Sequence, residues 1–375
     1  MRIVHIVFGK VNPDSLNGVS KVVHWMATTQ TEQGHDVEVW GLVRATAPSK
    51  YPRKFRLRLF SITRLRLSLG AEIKAALHSL GPGTWVQFHS VFCPEFPAIA
   101  RQLTRLGFQY GVTPHGGYAP GIFRKNPLRK RLYFFLREAG YLRKAAWIQA
   151  IGATEVDEIL RLAPAARVVL IPNCQAPLPA NVVAMPTDAK RPLIGYCGRL
   201  TVQQKGLDLL ISGFAEYKSR GGNGQLWLIG DGEERAGIEK LAVRAGVESH
   251  VRFLGAKHGE EKLSLIASFD AFIHPSRWDV IPTACLEAAS LGRPLVVSRE
   301  TNLGQYVEQS GAGLVLDELS AAAVSWALDN VQRLYDSGAL KDMGRKARLL
   351  VESEFIWEKN ARSFVAAIAA CGHAI

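Results

Sequence analysis

Short apolar runs recur along the chain, each closed by glycine, proline or asparagine and followed by a stretch of helical spacing. In the first half they are RIVHIVF (2–8), HDVEVWGLV (35–43), WVQFHS (85–90), QYGVTPHGG (109–117), WIQAIG (147–152) and RVVLIPN (167–173). In the second they are PLIGYCGRL (192–200), QLWLIGDG (225–232), HVRFLGA (250–256), DAFIHPS (270–276) and RPLVVSRE (293–300). Strands alternating with helices form parallel sheets covered on both faces, so the pattern predicts two doubly wound α/β domains. Between them QAPLPANVVAMPTDAKRP has four prolines and no apolar period, which sets a linker at 173–191 and domains at 1–172 and 192–355. Such sheets bind ligands beyond the carboxyl ends of their strands, where Gly18 and His115 fall. Ser20 reads as the N-cap of the first helix.

A length of 375 residues fits two domains of ordinary size, and 47% hydrophobic with 21% charged residues is a globular composition. No run of 18 apolar residues points to a spanning helix, and MRIVHIVFGK meets a lysine too early for a secretory leader. The five cysteines are scattered with no CxxC pair, which argues for a reducing cytoplasm and against zinc or a disulfide frame. Charge alters the picture more. Residues 1–180 hold 24 Lys and Arg against 10 Asp and Glu, whereas the remainder holds 22 against 23. The excess gathers in 51–67 and 124–144, interleaved with aromatic and aliphatic residues. A solvated basic face and attachment to an anionic membrane surface both fit those stretches. Nucleic acid is disfavoured, because no RNP, KH or helix-turn-helix signature occurs.

The densest chemistry lies in His274–Gly292, HPSRWDVIPTACLEAASLG. A strand, a loop and a helix start make an anion site, since free N–H groups and the helix dipole converge there. Asp279 and Glu287 bracket that helix start; a carboxylate in the helix could accept hydrogen bonds from hydroxyls instead. For Asp279 the plain alternative is an N-cap, and for Glu287 an ion pair within its domain. GxGxxG, Walker A and DxD are all missing, so neither a nicotinamide site nor the common metal-held diphosphate site is expected. A diphosphate here would be neutralised by side chains and helix ends. Gly198, Arg199 and Lys205 are candidates, although surface charges at a βα loop would look alike.

Taken together, GRL…QKG (198–206), LIGDGEE (228–234), VRFLG (251–255) and HPSRWD…LEAASLGRPLV (274–296) resemble, in order and spacing, the retaining glycosyltransferases of the GT-B fold. They belong with family 4, the glycosyl transferases group 1, which includes sucrose synthase and bacterial mannosyltransferases. NGVSKVV (17–23) is similar to that family's N-terminal glycine loop, and 113–158 to a bacterial subgroup building lipopolysaccharide, capsule or exopolysaccharide. The resemblance spans the chain. It implies an α/β GT-B fold, two Rossmann-like doubly wound domains facing across a cleft. The first would bind the acceptor and the second a UDP- or GDP-sugar, with 356–375 crossing back onto the first.

Residue by residue, the resemblance implies that Arg199 and Lys205 hold the diphosphate and stabilise its charge as the glycosidic bond breaks. Asp279 stands where the family has a Glu near the donor sugar, and His115 would approach that sugar from the first domain. Glu287 would accept from the ribose hydroxyls. Gly18, Gly198, Gly230, Leu254, Ile281 and Thr283 would line the donor, the last two through backbone N–H groups. No metal or other cofactor is implied, and the acceptor would be a glycan or lipid-linked saccharide. The chain would work in the cytoplasm, with the inner face of the membrane as an attachment surface. Four places depart from the pattern: Asp279 is one methylene short, Val280-Ile281-Pro282-Thr283 replaces a glycine-rich turn, Cys174 stands where a glycine often follows PN, and 301–304 reads Thr-Asn-Leu-Gly where a glycine pair is usual. A nucleotide-sugar 2-epimerase, a phosphorylase and a non-catalytic glycan- or membrane-binding relative are the alternatives, the phosphorylase lacking any sign of a pyridoxal lysine.

Overall fold

The computed structural model describes residues 1–13, 18–44, 51–62, 69–119, 121 and 126–372. Asn17 and the basic positions in 63–67 and 124–125 lie outside the described residues. The chain divides into two compact units, Met1–Asn173 with Trp357–Ile375, and Cys174–Ile356. The proline-rich stretch 176–190 carries neither strand nor helix and falls in the second unit.

The first unit is built on seven parallel strands: β1 (Arg2–Phe8), β2 (Asp36–Val43), β3 (Arg56–Ser61), β4 (Thr84–His89), β5 (Tyr110–Thr113), β6 (Trp147–Ala150) and β7 (Val168–Leu170). Their order is β3-β2-β1-β4-β5-β6-β7. The second unit has β8 (Leu193–Cys197), β9 (Gln225–Ile229), β10 (Val251–Gly255), β11 (Ala271–His274), β12 (Leu295–Ser298) and β13 (Gly313–Leu316), in the order β10-β9-β8-β11-β12-β13. Both are the doubly wound Rossmann order. Strand direction of travel reverses between β1 and β4 and between β8 and β11, and a crevice for ligands opens at such a switch point.

Period-2 alternation sorts the side chains of the first sheet. Val4, Ile6, Phe88 and Val112 enter the main core on one face. Val7, Val37 and Val39 pack on Val23 and Ala27 of the helix Gly18–Glu32 on the other. That second face also buries polar groups, His5, Gln87, His89, Thr113 and Gln149. Gln87 Nε2 donates to Thr113 Oγ1 at 2.9 Å, Thr113 donates to Gln149 Oε1 at 2.9 Å, and Gln149 Nε2 donates to the Ile171 carbonyl at 2.9 Å. In the second unit Ile194, Tyr196, Leu226, Leu228 and Phe214 anchor the core.

Four expectations change. Ser20 is not an N-cap: the helix begins at Gly18, and Ser20 is buried in its first turn. The basic stretch 51–67 contributes an edge strand, β3, whose arginines are engaged by the neighbouring strand. Arg56 meets Asp36 at 2.8 Å and Arg58 meets Glu38 at 3.5 Å, with the Arg58 guanidinium over the Trp40 and Phe60 rings. β13 was not expected, because GLVL is short and lies at the sheet edge. Finally, the helix through 127–143 is interrupted by a π turn at Phe134–Glu138.

Candidate active site

In the second unit the loops after β8, β9 and β11 press together at the switch point. A Cβ on Gly230 (φ +137°) would lie 1.9 Å from the Gly198 carbonyl oxygen, so only glycine lets the β9 loop reach the β8 loop. Gly206 (φ +66°) ends the short helix Val202–Lys205 and starts the helix Leu207–Ser219. Its Cβ would sit 2.1 Å from the Pro275 carbonyl oxygen, which seats Lys205 against the loop after β11. Arg277 fastens the same corner. It grips Asp208 with two bonds of 2.8 and 2.7 Å and donates to the Val202 carbonyl at 2.8 Å. Its own N–H donates to the Gln204 carbonyl at 2.8 Å.

This seating brings together Lys205, Asp279 and His274. Lys205 Nζ is ion-paired with Asp279 Oδ2, and His274 Nε2 lies 3.1 Å from the same oxygen. The Lys205 and Asp279 side chains are 14% and 16% exposed, so the pair is only thinly hydrated. His274 is stacked on Tyr196 (5.4 Å between ring centroids, 10° between planes) and is fully buried. Burial works against the Asp279 charge, but Lys205 first and His274 second outweigh it and hold the carboxyl well below the usual range. Burial pulls the His274 pKa down against the opposing pull of Asp279. The carboxylate is therefore ionised at neutral pH, and a proton donor role is closed to it.

The loop 279–283 is pinned from below. Asp279 N–H donates to the Glu300 carbonyl at 3.0 Å, Ile281 N–H to the Thr301 carbonyl at 3.2 Å, and Asn302 Nδ2 to the Asp279 carbonyl at 2.9 Å. Ile281 is buried at φ +44°, a conformation that a β-branched residue adopts only under constraint. The sequence expectation is corrected here: the Ile281 amide is occupied and does not point at a ligand. Pro282 caps the helix Thr283–Ser290, its carbonyl accepting from Cys285 at 3.0 Å and Leu286 at 3.4 Å. Among the described residues, the Thr283 and Ala284 amides have no acceptor, leaving these two donors at a helix N-terminus.

Glu287 is ion-paired with Lys262 at 2.6 Å, both side chains 13% exposed. Arg199 follows Gly198 at the end of β8, is exposed, and has no ion pair among the described residues. Leu254 sits near the end of edge strand β10, half-buried. The second unit thus gathers Gly198, Gly230, Lys205, Asp279 and Thr283 at one switch point.

Gly18 and His115 belong to the first unit. Gly18 is the exposed first residue of its helix. His115 follows β5 at φ +55°, in a loop held by Glu155. Glu155 Oε1 accepts the Gly116 N–H at 2.5 Å and Oε2 the Ile151 N–H at 2.7 Å, while burial raises its pKa to about 7 against those two bonds. His115 Nε2 lies 3.0 Å from His89 Nδ1, His89 Nε2 lies 2.8 Å from His5 Nδ1, and His5 Nε2 donates to Gln30 Oε1 at 2.7 Å. Sequence reading missed His5, Gln30, His89, Glu155, Lys262 and Arg277. The available signal was a polar residue at alternate positions of otherwise apolar strands, in HIVF, WVQFH and YGVTPH.

Comparison with known proteins is consistent across both units. Residues 16–174 match the family described as Glycosyltransferase Family 4, and residues 179–349 the family described as Glycosyl transferases group 1. A lipopolysaccharide core biosynthesis glycosyltransferase of Rhizobium meliloti is 30% identical over 145 residues, 39% of this chain and 41% of that protein. A glycogen synthase of Mycobacterium tuberculosis is 25% identical over 96% of this chain and 92% of its own length. The solved sucrose-phosphate synthase of Thermosynechococcus elongatus superposes with a TM-score of 0.76 at 19% identity, covering 99% of each chain. The chain spans less than half the length of the first curated relatives it matches. The chain accordingly carries a Glycosyltransferase Family 4 domain followed by a Glycosyl transferases group 1 domain, in the two-domain GT-B fold.

Proposed function

We propose that this chain is a retaining hexosyltransferase that moves a sugar from a UDP- or GDP-sugar to a hydroxyl of a glycan or lipid-linked acceptor in surface polysaccharide synthesis. One observation carries the reading. Lys205, a fixed carboxylate and two free helix-terminal amides converge at the β8/β11 switch point, with Arg199 on its rim. An ammonium has three donors, so Lys205 can keep Asp279 and still meet a phosphate oxygen. Arg199 can fork onto two more. These charges would stabilise the leaving diphosphate as it forms, without a metal. Asp279, ionised and tied to Lys205, would accept from sugar hydroxyls rather than donate a proton. Glu287 would meet the ribose by exchanging or sharing Lys262. Among the described residues no carboxylate is assigned as a nucleophile, which favours a front-face route in which the leaving phosphate takes the acceptor proton.

Calorimetric titration with UDP, GDP and ADP tests the site and names the base. Arg199→Ala and Lys205→Ala should each lower turnover roughly a hundredfold. Near-normal turnover of both variants, or loss of activity in EDTA, would overturn the respective part of the reading. An epimerase would consume donor with no acceptor present.

An anionic membrane is proposed as a second partner. Leu128, Leu132, Phe135 and Leu136 are 81%, 61%, 74% and 70% exposed, at spacings that place them on one helical face. Arg129 and Arg131 are exposed beside them. Apolar side chains entering the headgroup boundary, with basic ones at its surface, are the mark of an interfacial helix. Among the described residues no helix is long and apolar enough to cross a membrane.

A further inference from the structure

The face of the first sheet that holds the buried polar layer contains a line of three imidazoles. His115 at the end of β5, His89 at the end of β4 and His5 within β1 follow one another, and Gln30 of the helix Gly18–Glu32 closes the line. His5 and His89 are fully enclosed, with the Phe364 ring 5.9 Å from His5. The His89 and His115 rings are stacked at 5.3 Å and 28°. None of the three rings has an acidic or basic neighbour among the described groups that perturb it; each is affected only by burial, by Gln30 or by another ring of the line.

We infer that Gln30, His5 and His89 are positioning residues that hold His115 as its Nε2–H tautomer and so present His115 Nδ1 as a hydrogen-bond acceptor for a hydroxyl-bearing ligand. The polarity is set at the far end. With the Gln30 amide oxygen turned toward His5, an acceptor that cannot donate, His5 carries its proton on Nε2 and accepts at Nδ1. That forces His89 to donate from Nε2 and accept at Nδ1, and His115 to donate from Nε2 in turn. A neutral imidazole has one donor and one acceptor, so a single orientation of Gln30 fixes all three rings. Burial keeps the rings neutral: it lowers His5 to about 4 and His115 to about 3, and takes His89 well below its ordinary value. No carboxylate ends the line, which separates it from an arrangement that stabilises an imidazolium. His115 is only partly buried, and its Nδ1 is neither bonded nor enclosed among the described residues. Glu155, through the Gly116 N–H, keeps the loop in place for that atom to face outward.

The ligand part of this inference rests on the sugar-transfer reading; the tautomer part does not. Nitrogen-15 NMR of histidine-labelled full chain at pH 7.5 reads both ring nitrogens directly, with signals assigned by loss in His5→Phe, His89→Phe and His115→Phe. All three rings are expected as the Nε2–H form. Gln30→Met removes the oxygen and should turn His115 into a mixture of tautomers, with kcat for transfer falling about tenfold and the donor KM moving little. A wild-type His115 found as the Nδ1–H form or as imidazolium overturns the inference, and that spectrum decides even if Gln30→Met fails to fold. An unchanged His115 tautomer in folded Gln30→Met overturns it as well. A tautomer shift in a chain that transfers no sugar leaves the tautomer assignment standing and removes the sugar-transfer reading.

Discussion

Asp279→Asn isolates the Lys205–Asp279 ion pair of the proposed donor site. Asp279 and Lys205 are 16% and 14% exposed, and the carboxylate oxygen that meets Lys205 also meets His274. Removing the carboxylate leaves a thinly hydrated ammonium with no counter-ion. Breaking one partner of a buried pair costs about 3–5 kcal/mol, and the residual exposure argues for the lower end, about 3 kcal/mol. Lys205→Met removes the other partner and leaves the Asp279 carboxylate bonded to His274 and to the Val280 N–H. A double-mutant cycle with Lys205→Met/Asp279→Asn, read by urea unfolding at pH 7, should give a coupling of about 1.5–3 kcal/mol. The pH dependence has a fixed sign. The folded carboxyl lies below its unfolded value, so its contribution is complete above about pH 4 and lost as pH falls further. The gap between wild type and Asp279→Asn should therefore hold steady from pH 8 to pH 5 and narrow below about pH 4. Asp279→Asn also makes the site more positive, so UDP or GDP binding should be retained or tightened while transfer falls. A coupling below about 0.5 kcal/mol would refute the buried-pair argument, and weakened nucleotide binding would refute the charge argument.

Other variants probe separate parts of the molecule. Arg277→Lys keeps the charge but loses the fork on Asp208; it should destabilise by about 1–2 kcal/mol and lower kcat by displacing the Lys205 turn, and thermal melting with steady-state kinetics would check both. Lowering pH from 7 to 5 should cost about 2 kcal/mol through His5 alone, because its folded pKa of about 4 lies below the unfolded value and the unfolded chain takes up more protons; His5→Phe should flatten that slope. Leu132→Glu/Phe135→Glu should weaken binding to phosphatidylglycerol vesicles at least tenfold, the pair burying about 2 kcal/mol of apolar surface in the interface. Equal binding by that variant in a vesicle sedimentation assay would remove the membrane proposal.

Much of the fold was legible because each inner strand is a compact apolar run. RIVHIVF, PLIGYC and DAFIH are apolar enough to be read without neighbours. Of the edge strands β7 and β10 were read and β3 and β13 escaped: RLRLFS alternates Arg with Leu and looks like a basic face, because only Asp36 and Glu38 across the sheet reveal where its arginines go. Of the site, the glycines, Lys205, Asp279 and the Thr283 helix start could be read as candidates from local order. The occupied Ile281 amide could not, since its partner Thr301 is supplied by another loop.

What the sequence by itself determined is the set of local preferences: two rounds of strand and helix, glycines at strand ends, and a proline at a helix cap. Those follow from backbone sterics and side-chain period, which act over a few residues. The tertiary structure decided the pairings. Lys205 reaches Asp279 across 74 positions because Gly206 admits the Pro275 carbonyl and Arg277 clamps Asp208. His5, His89 and His115 form a line because β1, β4 and β5 are adjacent in the sheet, an order that no single strand encodes. Burial then fixes their charge, and burial belongs to the packed molecule rather than to any residue in it.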